Sequence, residues 1–178
     1  MVGLLGACAV LLAVAGGTKV AAPKATVAAF AATRLPGARS LAKTLVIRTF
    51  GVTEIGLALL AVVVGGAVPA GLVALAYVIL GVVAWRLVRY APGQDCGCFG
   101  SSAEPASNWH VGVDVGAALI AGAATIWPTP SLVHELGRGG IAAVLLPIAV
   151  LVLAWLGYLL MTALPELLNL DAKVGAIR

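Results

Sequence analysis

Two of the three cysteines in the chain, Cys96 and Cys98, lie one residue apart in the segment 95–100. Such a pair can close into a small, strained disulfide ring, and strain makes a disulfide more oxidising and more readily exchanged. Gly97 suits the linking position because glycine adopts backbone angles that other residues avoid. Two thiolates could instead belong to a soft-metal site, but a closed tetrahedral site needs four ligands and only His110 is an obvious nitrogen nearby. The pattern favours redox chemistry over metal binding, and metal binding over incidental loop cysteines.

Four polar residues interrupt the apolar stretches on either side of the cysteines. Arg48 and Glu54 lie in one stretch, and His110 and Asp114 lie in another at a spacing of four, which places them on one helix face. Charges inside a membrane span are costly and usually mark a functional site or a proton path. A cluster of these four residues next to a cysteine pair would suit proton-coupled electron transfer. Two plainer alternatives remain: Arg48 snorkels to the headgroups, and His110 caps its helix.

The composition requires a membrane. The 178 residues are 62% hydrophobic and 10% charged, with a mean hydropathy of +1.10, whereas soluble domains carry roughly 25% charged residues. We therefore predict an all-α polytopic helical bundle in one transmembrane domain, 1–178. The predicted spans are about 2–20, 44–64, 68–88, 108–127 and 139–164. The first is expected to persist as a helix rather than be cleaved as a signal peptide, since no Lys or Arg precedes its apolar core.

The uncharged run 55–85 is the most informative about depth. One helix of that length would measure about 47 Å, against a hydrocarbon core of about 30 Å. Gly65, Gly66 and Pro69 mark a turn inside the run, so the run is predicted to be a helical hairpin. Each arm must then extend past the flanking charges, which places Glu54 near mid-depth in the second span.

Five spans put the first loop, the cysteine loop and the C-terminal tail on one face. Ten of the eleven basic residues lie there or at its helix ends, and Arg138 lies on the other face. The positive-inside rule makes the crowded face cytoplasmic: we expect a multi-pass protein of the plasma (inner) membrane with its N-terminus outside and its C-terminus in the cytoplasm. Lipid contact and topology account for the basic charge, so no nucleic acid partner is expected. The ten residues are Lys19, Lys24, Arg34, Arg39, Lys43, Arg48, Arg86, Arg89, Lys173 and Arg178.

Two features of the helices are expected to concern packing rather than chemistry. Cys8, in the first helix, is interpreted mainly as a small hydrophobe and secondarily as a resolving thiol. Gly112 and Gly116 have the small-xxx-small spacing that lets helices approach closely, although the general abundance of glycine and alanine explains the spacing equally well.

The run Cys96–Gly100, placed before a helix that opens with Trp109, resembles the MauE branch of the DoxX-like integral membrane proteins. Glu54 in the second helix is similar to an acidic residue of that family, and the resemblance extends over about residues 1–128. It implies a DoxX-like four-helix core with a fifth helix added. It also implies thiol redox chemistry that supports disulfide formation in an exported client, such as an amine dehydrogenase subunit, together with a thioredoxin-like partner.

Roles follow for individual residues under this interpretation. Cys96 and Cys98 cycle between dithiol and disulfide, while Glu54, Asp114 and His110 manage protons. A quinone is one candidate cofactor, with its binding assigned to Arg48, Phe99 and Trp109; alternatively, Arg48 lowers the pKa of a thiol. The sequence does not identify the electron acceptor.

One departure and one conflict accompany the resemblance. Family members often carry arginine just before the acidic residue of the fourth helix, whereas Val113 precedes Asp114 here; Arg48 or Arg86 would have to substitute. The disulfide role also points to the exported side, while the basic residues place the cysteines at the cytoplasmic face. The alternatives to a redox protein are a membrane carrier for a soft metal or small thiol and a structural subunit of an enzyme complex.

Overall fold

The computed structural model describes residues 1–99 and 105–163. The predicted end of the fifth span at 164, and the basic residues Lys173 and Arg178, lie outside this part of the chain. Within it the chain forms helices and no strands, which confirms the predicted fold class. The eight helices are α1 (Val2–Ala21), α2 (Pro23–Ala32), α3 (Ala38–Leu41), α4 (Thr44–Val63), α5 (Ala67–Tyr90), α6 (Asn108–Ile126), α7 (Leu132–Gly137) and α8 (Gly140–Thr162).

Five of the helices in the described ranges, α1, α4, α5, α6 and α8, are long and apolar enough to cross a membrane. They contain 19 to 24 residues, close to the roughly 20 that a bilayer requires. Their outward faces carry leucine, valine, isoleucine and tryptophan, as expected where lipid rather than water is the solvent. The protein is a multi-pass membrane protein.

The turn between α4 and α5 lies where the glycines indicate. Gly65 and Gly66 have φ values of +67° and +82°, in the region that glycine occupies without strain. A Cβ on Gly65 would lie 2.5 Å from the backbone nitrogen of Ser131. The Gly66 amide donates a hydrogen bond to the Thr129 carbonyl at 3.0 Å. The hairpin is therefore fixed against the link between α6 and α7, at the end of the bundle opposite the cysteines.

Helices α1 and α4 approach closely at Gly16 and Gly51. A Cβ added to either glycine would lie 2.5 Å from the carbonyl oxygen of the other, so only glycine permits this crossing. Gly112 and Gly116, by contrast, have open space around their Cβ positions among the described residues. Their spacing does not mark a close helix contact within the described chain.

The remaining helices complete the bundle around α1. Helix α5 packs along α6, and α8 packs against α1, where a Cβ on Gly157 would lie 2.7 Å from the Leu11 side chain. The short helix α2 contacts α4 and α5 and covers the end of the bundle where the cysteine loop lies. The core between the helices consists largely of alanine, together with Leu12, Val73 and Tyr77.

Candidate functional site

The cysteine loop connects α5 to α6 and is folded back into the bundle. A backbone bridge between Asp95 and Pro105, and a hydrogen bond of 2.9 Å from the Ala106 amide to the Gln94 carbonyl, close its base. Cys96 and Cys98 are both unoxidised and only 5% and 9% exposed. The loop between two spanning helices thus places both thiols in the interior of the protein.

Two threonine hydroxyls hold the loop in this position. Thr18 Oγ1, on α1, shares its proton between the Cys98 carbonyl at 2.9 Å and the Ala15 carbonyl of its own helix at 2.8 Å, and Thr26 Oγ1, on α2, donates to the Gly97 carbonyl at 2.6 Å. Gly97 has a φ of +68°, and a Cβ there would lie 2.8 Å from the backbone of Thr26. The glycine between the cysteines is therefore required both by its backbone angle and by the close contact with α2.

A buried ion pair lies one residue beyond Thr18. Lys19 Nζ is 2.8 Å from Glu54 Oε2, and the side chains are 4% and 5% exposed; Lys19 Nζ also donates to the Ala15 carbonyl at 3.3 Å. Glu54 is the eleventh of twenty residues in α4, so the pair is deep in the bundle. The contact depends on the Gly16–Gly51 crossing directly beside it.

Sequence reasoning missed Lys19 as a site residue, because it was counted with the basic residues of the first loop. A signal for it was present. An intramembrane carboxylate is expected to pair with another charge, and Lys19 lies near the C-terminal end of the first apolar run, within reach of a second helix that enters from the same face.

Asp114 is the second buried acid. It is 3% exposed, and its Oδ2 atom has no hydrogen-bond partner among the described residues. Asp114 and Cys98 line the same small cavity, together with Tyr77, Leu11 and Phe99; we call this space the inner cavity. Gly81 on α5 makes room for Asp114, since a Cβ there would lie 3.3 Å from the Asp114 Cβ.

His110 shares a helix with Asp114 but has a different set of contacts. It is buried, and its Nδ1 atom accepts a hydrogen bond from the Ser107 amide at 3.2 Å and lies 3.0 Å from Ser107 Oγ. Ser107 and His110 together cap the start of α6. The plainer alternative from the sequence, a helix cap, describes the geometry of this residue.

The three residues assigned to quinone binding do not come together. Arg48 is exposed, and it lies six residues before Glu54, which rotates it by about 120° around the helix from the carboxylate. Trp109 is 47% exposed. Phe99 lies elsewhere, with its ring in edge contact with Tyr158 of α8 at 5.3 Å. The structure brings together Cys96, Cys98, Lys19, Glu54 and Asp114 instead.

The arrangement favours a protonated Cys98. Hydrogen bonding to Cys96 and burial raise the pKa of the Cys98 thiol well above its usual value, while the positive charge of Lys19 opposes this shift. The Cys98 thiol points to the Cys96 carbonyl at 3.9 Å. The raised pKa keeps the proton on the Cys98 thiol.

Cys8 lies in a separate part of the bundle. Its carbonyl accepts a hydrogen bond of 2.7 Å from the Tyr77 hydroxyl, and its side chain belongs to the apolar core. Cys8 precedes Thr18 by ten residues, a rise of about 15 Å along α1. The third cysteine therefore belongs to the helix packing.

The donor set around the cysteines is small. Across residues 1–99 and 105–163, no group of three or more histidine, cysteine, aspartate and glutamate side chains could hold a metal ion. Two thiols and one nearby carboxyl are fewer than the four ligands of a closed tetrahedral metal site.

The fold and the site define a class: a polytopic α-helical membrane protein with a buried dithiol and intramembrane charges at one end of its bundle. The model of a protein family described as methylamine utilisation protein MauE matches residues 2–128. The chain belongs to the MauE family. The match covers α1 to α6, including the Lys19–Glu54 pair, the cysteine loop and Asp114, and it ends before α8. No curated protein and no solved structure matches the chain.

Proposed function

We propose that this MauE-family protein is a membrane thiol–disulfide redox protein that supports disulfide formation or electron transfer through Cys96 and Cys98. The single observation that carries the proposal is the placement of the two thiols: they lie one residue apart and are buried, and Cys98 lines the same cavity as Asp114, whose Oδ2 atom has no partner among the described residues. An incidental pair of loop cysteines needs no such enclosure.

The proposed reaction transfers two electrons and two protons in each half. A client dithiol loses two electrons and two protons as its S–S bond forms, and the Cys96–Cys98 disulfide takes them up and becomes a dithiol. The reverse half-reaction regenerates the disulfide and passes two electrons and two protons to a membrane quinone. A thioredoxin-like protein is the expected intermediary, and an exported protein such as an amine dehydrogenase subunit is the expected client.

The surrounding charges have distinct roles in this proposal. Glu54 is paired with Lys19, so the two charges largely cancel; Lys19 opposes the raised pKa of Cys98, while Glu54 adds to it. Asp114, whose Oδ2 atom has no partner among the described residues, lines the same cavity as Cys98 and is the group assigned to exchange a proton with it. His110 orders the start of α6, and its Nδ1 is engaged there.

The proposal is tested on the full-length chain in detergent micelles. The thiols are treated with diamide or with the disulfide form of a thioredoxin-fold protein, then denatured and labelled with a mass tag. We expect loss of two of the three tags, and no loss when Cys96 and Cys98 are both changed to serine. If Cys96 and Cys98 keep both tags with each of the two oxidants, the proposed redox function is overturned. Binding of one zinc or copper ion per chain, lost in Cys98→Ser, would support the metal carrier in its place.

A further inference from the structure

A groove opens toward the lipid between α1 and α8, beside the cysteine loop. Its volume is about 410 Å³, within the usual range for small-molecule sites. We call it the outer groove. It is lined by Val10, Val14 and Thr18 of α1, Leu151 and Trp155 of α8, and Phe99 of the cysteine loop. The family match ends before α8, so this groove combines matched and unmatched parts of the chain.

The chemistry of the groove selects a neutral, planar and apolar ligand. Among the described residues, no charged side chain lines it, which disfavours phosphates and carboxylates. Three aromatic rings form one wall: Phe99 meets Tyr158 edge to face at 5.3 Å, and Trp155 stacks on Tyr158 at 5.8 Å. Aromatic surfaces of this kind suit a flat conjugated ring. The aliphatic remainder suits a hydrocarbon tail that enters from the bilayer.

The groove adjoins the thiols across a single layer of side chains. Leu11 and Phe99 line both the outer groove and the inner cavity that contains Cys98 and Asp114. Thr18, which also lines the groove, donates the hydrogen bond that holds the Cys98 carbonyl. A ring bound in the outer groove is therefore separated from the Cys98 thiol by the Phe99 side chain.

We propose that the outer groove binds the ring of a membrane quinone, which oxidises the Cys96–Cys98 dithiol; this inference rests on the redox function proposed above. The S–S bond forms, both thiol protons leave, and the quinone takes two electrons and two protons to become the quinol. The Phe99 ring forms the wall between the quinone and the thiol, because it lines both the outer groove and the inner cavity. Arg48 and Trp109 have no part in this site.

The chain offers a matched pair of variants for the test. Val14→Trp fills the outer groove from α1, where Val14 is 44% exposed. Val82→Trp makes the same change in a second lipid-facing groove, between α5 and α6, where Val82 is 45% exposed. Both substitutions place a large ring on a lipid-facing surface rather than in the core, so both variants are expected to fold.

Two measurements are made on each full-length variant. An azido-substituted benzoquinone with a ten-carbon tail is photolysed with the protein, and labelled peptides are identified by mass spectrometry. The rate of dithiol oxidation by the unmodified decyl-benzoquinone is then compared with the rate by diamide, which needs no groove. We expect label on α8 at Trp155 or Tyr158 in the parent and in Val82→Trp. In Val14→Trp, we expect the yield of photolabelled peptide and the rate of quinone-driven oxidation to fall at least about tenfold. The rate of diamide-driven oxidation should be unchanged.

The outcomes separate the two proposals. A dithiol that diamide oxidises but quinone does not overturns the quinone site and leaves the redox function standing. Equal quinone-driven rates in the parent and Val14→Trp also overturn the quinone site. Equal losses of rate in Val14→Trp and Val82→Trp overturn it as well, because they show a nonspecific effect of the added tryptophan. A dithiol that neither reagent oxidises overturns the proposed function and the quinone site with it.

Discussion

Lys19 Nζ on α1 and Glu54 Oε2 on α4 lie 2.8 Å apart in the interior of the bundle, with both side chains almost completely buried. Helix α1 is therefore held in the bundle by a charged contact as well as by apolar packing, and its removal would leave Glu54 without its cation. The same helix carries Thr18, which holds the cysteine loop. One turn of α1 thus joins the ion pair to the thiols.

Breaking the ion pair from either side is expected to destabilise the protein. Glu54→Gln or Lys19→Met leaves one buried charge unpaired, which costs about 3–5 kcal/mol in comparable buried pairs. Both variants should unfold at clearly lower temperature in detergent, measured by circular dichroism. The double variant Lys19→Met/Glu54→Leu leaves no buried charge and should be more stable than either single variant. Single variants that melt with the parent would show that the pair is not formed.

The Gly16–Gly51 crossing predicts that the effect of a Gly→Ala substitution in α4 on stability depends strongly on its position. Gly51→Ala places a Cβ 2.5 Å from the Gly16 carbonyl oxygen, so α1 and α4 must separate and the melting temperature should fall. Gly56→Ala is the control in the same helix, since its Cβ meets nothing within 4 Å. It should be neutral or stabilising by up to about 1 kcal/mol because alanine is the better helix former. Equal effects of the two changes would contradict the crossing.

The threonine hydroxyls are predicted to control access to the thiols. Thr18→Val and Thr26→Val keep the side-chain shape but remove the donors to the Cys98 and Gly97 carbonyls. We expect Cys96 and Cys98 to react with maleimide several-fold faster in these variants, because the loop opens more often. Thr53→Val is the control, as its hydroxyl bonds only the Thr49 carbonyl of its own helix. Unchanged labelling of Thr18→Val and Thr26→Val together would argue against this role.

The raised pKa of Cys98 predicts a shifted pH profile for its alkylation. The thiolate is the reactive form, and hydrogen bonding to Cys96 together with burial keeps the proton on Cys98. Iodoacetamide labelling of Cys98 should therefore be slow at pH 7 and should still be rising above the usual thiol pKa of about 8.5. The same chain denatured in detergent serves as the reference and should show the ordinary profile. Coincident native and denatured profiles would contradict the shift.

The raised pKa of Cys98 also predicts that the folded protein loses stability at high pH. The unfolded chain releases the Cys98 proton at lower pH than the folded chain, so the unfolded state binds fewer protons above about pH 8.5 and the free energy of unfolding falls there. Thermal melting of the parent should be insensitive to this group below that pH. Above it, the parent should lose stability more steeply than Cys98→Ser.

The orientation expected from the basic residues is tested with new cysteines, since the native thiols are buried. Ser40 near α3 and Gly137 at the end of α7 are exposed and lie at opposite ends of the bundle. In a background without native cysteines, a membrane-impermeant maleimide applied to intact cells should label Gly137→Cys and not Ser40→Cys if the positive-inside rule holds. The reverse pattern would place the cysteine loop on the exported side, where the proposed disulfide formation in an exported client would take place.

The sequence by itself determined the architecture and the depth of its acids. A bilayer imposes a fixed length on every span, so counting apolar residues between charges and glycines is enough to predict five spans and the α4–α5 hairpin. The same count placed Glu54 deep in the second span. The cysteine pair was recognisable because Cys-Gly-Cys is a local motif whose chemistry depends on spacing alone.

Only the tertiary structure decided which groups meet. The partner of Glu54 is Lys19 rather than an arginine because the rotation of α1, set by the Gly16–Gly51 approach, turns that lysine inward, and no local pattern encodes this rotation. Arg48 faces outward because six residues along a helix do not return to the same face. Phe99 meets α8 because the loop folds onto α1 through Thr18. Contacts between helices depend on side-chain packing over the whole bundle, which is why the span pattern could not reveal them.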